Sequence, residues 1–251
     1  MKITISPQYE YLRPYLSDIT THFDNGREIH SGRNHIRVIS PDGHLQLNVK
    51  RYAIPHWPNR LIYSCFRRPK GLRAFIYPEH LIAAGIDTPA PVAYIEERTA
   101  GIIGYTYFVS LHSELPGRLY ELGNARMDRP EHISLARDLA RFAARIHEAR
   151  LTHLDFCPGN VLYETLPDGS HRFALVDINR MRFGEVDIKR GCANFARLWG
   201  QPQLFELLAK EYAAARGFDP AECFRLMMDA RRRFWSRFVR RHKVKYDLIL
   251  D

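Results

Sequence analysis

Residues 147–160 read HEARLTHLDFCPGN, and the string His153-x-Asp155-x-x-x-x-Asn160 inside them decides how the rest of the chain is read. It stands directly after a segment in which Leu135, Leu139, Phe142, Ala143 and Ile146 recur at helical spacing, behind a helix start at Asp128, Pro130 and Glu131. A short strand, VLYE, follows, then a turn at Pro167-Asp168-Gly169, then an apolar strand over 173–176 that Asp177 closes, seventeen residues beyond Asn160. A loop hairpin of this kind brings Asp155, Asn160 and Asp177 to one edge. There one carboxylate can accept the proton of an acceptor hydroxyl, while an amide and a second carboxylate offer the hard oxygen ligands that Mg²⁺ prefers beside a triphosphate. Asp, Pro, Gly and Asn also make plain surface turns. A plain turn, however, does not call for the preceding helix or for an aspartate at the end of the following strand.

Outward toward the N-terminus, residues 27–31, 36–40 and 45–52 read as three short strands, the last two joined by Pro41-Asp42-Gly43. Lys50 lies in the third, 105 residues before Asp155, where a strand lysine can reach the α- and β-phosphates of a nucleotide. A helix over 70–84, stopping at Gly85, carries Pro78, which bends it or shifts its start. Glu79 is the helix carboxylate that would pair with Lys50; an alternative register puts Ile76 there and leaves no ion pair. The loop Ser31-Gly32-Arg33-Asn34 would cover the phosphates. With one glycine, it needs Arg33 and Asn34 to supply contacts that backbone amides supply in richer loops. Strands over 92–97 and 102–110 complete this half, and the polar connector HSELPGRLYELGNARMD leads to the helix before the motif.

From about Gly191 to Arg241 the chain reads as helical. A sheet-rich first half joined to a helical second half predicts a bilobal α+β enzyme, with an N-terminal nucleotide-binding lobe over 1–113 and a C-terminal catalytic and substrate lobe over 114–251. No internal repeat is present. His153 is read as orienting the catalytic loop and His147 as capping the preceding helix. Arg180 either contacts an anionic substrate or pairs with a carboxylate. Cys157 stands where protein kinases commonly carry a lysine, which argues against ordinary Ser/Thr protein kinase chemistry.

Composition sets the outer bounds. The chain has 251 residues, 45% hydrophobic and 26% charged, which suits a packed core and excludes fibrous or wholly disordered architectures. Its longest stretch free of Asp, Glu, Lys and Arg runs over 99–113, too short for the ~20 residues of a spanning helix. Pro7, Glu10 and Arg13 interrupt the apolar run a signal peptide needs, so a cytoplasmic protein is expected. Cysteines 65, 157, 192 and 223 show neither a C-x-x-C pair nor zinc-finger spacing. The net charge of +9 favours an anionic partner. Nearly all of that excess lies in residues 225–245, where nine Lys or Arg face one acid. There Phe224, Met227, Met228, Phe234, Trp235 and Phe238 fall near one helical face and Arg225, Arg232, Arg233, Arg237, Arg240 and Arg241 cover the rest. That helix either docks on the second lobe with a solvated basic face or meets an anionic membrane surface. Nucleic acid ranks lower, because no nucleic-acid module is present.

On SGRN with VKRY, AAGIDTPAPVAYIE, ARIHEARLTHLDFCPGNVLYE and FALVDINRMRF, residues 27–200 resemble the protein-kinase-like superfamily, and within it the bacterial lipopolysaccharide core kinases that act on Kdo or heptose. The resemblance implies ATP and Mg²⁺ as cofactors and phosphorylation of an inner-core sugar on a lipid-linked acceptor at the inner face of the inner membrane. It implies Asp155, Lys50 and Asn160 as catalytic residues, Lys50, Glu79, Gly32 and Arg33 as nucleotide contacts, and Asn160 and Asp177 as metal ligands. The chain departs from the family pattern in its single-glycine loop and at Asn179, where related sequences often carry a second acid. Two other functions stay open beside this one: a kinase of a soluble small molecule or a protein, and a pseudokinase scaffold, against which the retained lysine, asparagine and aspartates argue.

Overall fold

In LNVKRY the alternation of side chains sends Leu47 and Val49 to one face of a strand and Lys50 and Tyr52 to faces that alternate with them. That strand is the fourth of six: β1 (Lys2–Ile5), β2 (Arg27–His30), β3 (His35–Ile39), β4 (Leu47–Tyr52), β5 (Pro91–Thr99) and β6 (Ile102–Leu111). They form one antiparallel sheet in the order β1-β5-β6-β4-β3-β2, with Lys50 opposite Ile36 on one side and Phe108 on the other. The computed structural model describes residues 1–244 and 246–250, apart from the side chains of Asn59, Leu61 and Cys65.

Four helices accompany this sheet: α1 (Arg13–Leu16), α2 (Ile19–Asn25), α3 (Trp57–Cys65) and α4 (Lys70–Ile76). Leu16, Ile19 and Phe23 from α1 and α2 are fully buried against Leu47, Val49, Ile95, Tyr107 and Val109. Each such side chain contributes ~1.5–3 kcal/mol by leaving water. On α4, a β-carbon at Gly71 would stand 2.9 Å from the Tyr94 ring, so the helix lies close to the sheet because this position has no side chain. The helix expected over 70–84 is broken at Tyr77, and α5 (Pro78–Ala83) starts afresh with Pro78 at its first position.

The chain gathers into two units. The first takes Met1–His80, Thr88–Glu114 and Asp177–Asn179, and the second Leu81–Asp87, Leu115–Val176 and Arg180–Asp251. In the second, α6 (Pro130–Glu148) opens with proline and buries Leu135, Leu139, Phe142, Ala143 and Ile146, the positions its periodicity marks. Two small sheets follow, one of β7 (Gly117–Arg118), β9 (Val161–Thr165) and β10 (His171–Leu175) in the order β10-β9-β7, the other of β8 (Leu151–His153) and β11 (Met181–Phe183).

Among the described residues, the run read as helical from Gly191 holds the α-helices α7 (Ile188–Asn194), α8 (Pro202–Arg216) and α9 (Pro220–Phe238), with a short 3-10 turn at Phe195–Arg197. Gly217, left-handed at φ +67°, ends α8, and the Asp219 carboxylate accepts the Glu222 amide to start α9. Met227, Met228 and Trp235 of α9 are buried, as its pattern predicts, and so is Arg231, which donates to the carbonyls of Gly200 and Ile249. Arg232, Arg233, Arg237, Arg240 and Arg241 are exposed, while Lys245 lies outside the described residues. Cys157, Cys192 and Cys223 are free thiols; the side chain of Cys65 lies outside the described ones. No helix among the described residues is long and apolar enough to cross a membrane.

Candidate active site

In the first unit, Lys50 Nζ lies 2.7 Å from Asp177 Oδ1, and both side chains are largely withdrawn from water. Asp177 sits at φ +56°, the left-handed region that Asp tolerates better than most residues. Asn179, buried two residues on, donates its amide to the same Oδ1. The departure from a second acid therefore has a local logic: a carboxylate at 179 would face Asp177 with like charge, whereas the amide donates to it. Lys50 also lies 5.3 Å from the Tyr52 ring. Burial and then the Asp177 charge push the Tyr52 phenol well above its ordinary range, while Arg73 on α4 pulls the other way.

Among the described residues, none of the other nucleotide residues proposed from sequence is paired with Lys50. Glu79 is exposed in the first turn of α5 and is not brought to Lys50, whose carboxylate partner is Asp177. The new helix start at Pro78 explains this, since an acid in a first turn is favoured by the helix dipole facing solvent. Gly32 and Arg33 are exposed in the β2–β3 loop, and Asn34 uses its Oδ1 to accept the Ala53 amide at 3.2 Å. Arg33 and Asn34 line a small cavity of about 80 Å³ within this unit, together with Tyr52, Lys70 and Thr106.

In the second unit, the motif loop is held from beneath. Leu175 pairs with Val161 at the open end of the β9–β10 hairpin, and Val176 donates to the Asn160 carbonyl at 3.0 Å. Asn160 spends its side-chain nitrogen on the Asp155 carbonyl at 2.9 Å. His153, wholly buried, accepts the Asp155 amide on Nδ1 and so donates from Nε2 to the Val176 carbonyl at 3.1 Å. This one neutral ring ties the loop to the strand end before Asp177, the orienting role its place in the motif suggests.

His147 does not cap α6 with its side chain. Its Nε2 donates to Asn194 Oδ1 at 3.0 Å, its Nδ1 accepts the Tyr212 hydroxyl at 2.9 Å, and Asn194 passes the link on to the His153 carbonyl at 2.9 Å. Burial holds the His147 imidazole down to about 4. A β-carbon at Gly191 would stand 2.0 Å from the Tyr212 oxygen, so the network requires a glycine on α7.

The Asp155 carboxylate carries two guanidinium groups. Arg197 Nη1 donates to Oδ1 at 2.9 Å and Arg180 Nη1 lies 3.7 Å from Oδ2, which answers for Arg180 the question left open by the sequence. Arg197, Asn194 and Tyr212 carry no sequence signal of their role: they fall in helical stretches where Arg, Asn and Tyr are ordinary residues. Cys157 is partly buried, and burial raises its thiol pKa.

No family model matches the chain, and no curated protein matches its sequence. Solved structures do match. WaaP in complex with acyl carrier protein superposes with a TM-score of 0.61 at 15% identity, over 94% of this chain and 99% of that one. Amicoumacin kinase hAmiN in complex with AMP-PNP, Ca²⁺ and Ami superposes with a TM-score of 0.56 at 11% identity, over 94% and 88%. At such identities the likeness speaks for architecture. The chain has the protein-kinase-like α+β fold, with a sheet-rich N-terminal part and a helical C-terminal part.

Proposed function

We propose that this protein is an ATP-dependent phosphotransferase whose acceptor is an inner-core sugar, Kdo or heptose, of lipopolysaccharide. The observation that carries the reading is the Lys50–Asp177 ion pair of 2.7 Å, a strand lysine and a strand-end aspartate of the two types that phosphoryl transfer uses on the nucleotide side. Asp155 takes the proton of the acceptor hydroxyl, and Arg197 and Arg180 keep its carboxylate fixed while it does so. Lys50, with Arg33 and Gly32 of the β2–β3 loop, positions the phosphates. Residues 1–113 supply the nucleotide contacts and residues 114–251 the base and the acceptor contacts.

A divalent ion suits the donor set. The Asp177 carboxylate and the Asn160 Oδ1 are hard oxygens of the kind Mg²⁺ takes. When bound, Mg²⁺ neutralises charge on the transferred phosphoryl group. The hAmiN structure holds AMP-PNP and Ca²⁺, which supports nucleotide and divalent-metal use here. The resemblance of residues 27–200 to lipopolysaccharide core kinases supports the lipopolysaccharide acceptor, with its place of work the inner face of the inner membrane. The exposed arginines of residues 225–245 would meet anionic lipid there.

A soluble small-molecule acceptor is the second reading, favoured by the likeness to an amicoumacin kinase. Incubating purified protein with labelled ATP and a panel of core glycolipids, small sugars, aminoglycoside-sized molecules and proteins decides between them. Label on the glycolipids alone is the expected result. Label on a soluble molecule alone would replace the first reading with the second, and none on any acceptor would favour a nucleotide-binding scaffold.

A further inference from the structure

The first unit exposes apolar side chains on a short segment that has no acid to balance its bases. Ile54, Trp57, Ile62 and Phe66 are 41%, 59%, 43% and 89% exposed, on and around α3. Between Ala53 and Lys70 there is no Asp or Glu, while Arg60, Arg67, Arg68 and Lys70 are basic. Arg67 and Arg68 are exposed and have no carboxylate partner among the described residues. The segment does not need its exposed side chains to stay in place. Arg60 Nε donates to the Ile103 carbonyl at 3.0 Å, and the Ile103 amide donates to Ser64 Oγ at 3.0 Å, so polar contacts to β6 hold α3.

We propose that Ile54, Trp57, Ile62, Phe66, Arg67 and Arg68 form a docking surface for an anionic lipid bilayer. Large apolar side chains left in water beside unpaired guanidinium groups match the two layers of a bilayer surface. Trp57 and Phe66 suit the level where headgroups meet acyl chains, Ile54 and Ile62 suit the acyl boundary, and Arg67 and Arg68 suit lipid phosphates. A nucleic acid would satisfy the arginines and stack on the two aromatic rings, but it offers nothing to Ile54 and Ile62. Charge and exposed aliphatic surface together therefore favour lipid. This surface is made of other residues than the basic segment 225–245, which presents arginines while its large apolar side chains other than Val239 are buried or half-buried.

The test uses the full chain and sedimentation with vesicles of phosphatidylcholine with and without phosphatidylglycerol. Wild type is expected to pellet with the anionic vesicles and not with phosphatidylcholine alone. Trp57→Ala/Phe66→Ala should bind about tenfold more weakly at unchanged far-ultraviolet circular dichroism, and Arg67→Gln/Arg68→Gln should lose much of the salt-sensitive part. Trp57 fluorescence should shift to the blue on binding, a change missing from Trp57→Phe. Equal pelleting of the folded aromatic variant and wild type would overturn the proposal. So would binding of a DNA duplex, but not of vesicles, that the same variant loses.

Discussion

Arg197 donates to Oδ1 of Asp155 at 2.9 Å while its guanidinium lies 4.8 Å from the centre of the Phe234 ring on α9. The last long helix of the chain thus reaches the motif loop through one side chain. Arg197→Gln removes both the charge and the stacked plane. It should lower kcat for the acceptor about tenfold to a hundredfold, because a base displaced by even an ångström loses much of its effect. Nucleotide affinity should hardly change, and steady-state kinetics with each substrate varied separates the two. A variant that loses nucleotide affinity and keeps kcat would show that Arg197 does not serve the base.

Asp155→Asn keeps the shape of the side chain and removes the carboxylate proposed as the proton acceptor. Phosphoryl transfer should fall by roughly 10²–10⁴, with nucleotide binding and melting temperature close to wild type. Wild-type turnover of ATP and acceptor in this variant would sink the assignment.

Asp177→Ala leaves Lys50 without its carboxylate and removes the carboxylate proposed as a metal ligand. The stabilisation that Mg-ATP gives in a thermal-shift assay should vanish, whereas Lys50→Met should keep part of it and lose catalytic rate. Because Glu79 faces solvent on α5, Glu79→Gln should stay within about twofold of wild-type activity. A large loss in that variant would mean that Glu79 reaches the site in the working enzyme.

Stability should depend on acid through His147. Its folded pKa, about 4, lies below the ordinary histidine value because the buried ring resists charge. The unfolded chain therefore takes up the proton first as pH falls. The contribution is whole above about pH 6.5 and is lost on the way down to about 4, on the order of 3 kcal/mol in all. Melting temperature measured across that window should fall less steeply in His147→Gln than in wild type. Parallel curves would show that another group carries the acid dependence.

Strands β2 to β6, helix α6 and the β9–β10 hairpin were legible because each is long enough to show a period or is closed by a clear turn. The three-residue strands β8 and β11 are too short to alternate visibly, and α1 and α2 too short to show a helical repeat. Helix α3 was hidden by two prolines near its start and by apolar residues that face water rather than a core. Of the candidate residues, Lys50, Asp155, Asn160 and Asp177 could be proposed because their spacing is chemical. The supporting network could not. Asn194, Tyr212 and Arg197 meet the loop through contacts 41 or more residues apart in the chain, or through another side chain, and such pairings leave no local pattern.

The placement of Asp177–Asn179 with the first unit bears on the order in which a growing chain can finish folding. Lys50 and the whole six-stranded sheet leave the ribosome well before Asp177, 127 residues downstream by the difference of the two positions. Until the β9–β10 hairpin has been synthesised, a half-buried ammonium waits without its counter-charge. A fragment ending at Glu114 would hold every strand of the sheet yet lack the group that neutralises Lys50. Such a fragment should be a poor surrogate for the first unit, and the chain should reach its native N-terminal part only after about half of the second unit has been made.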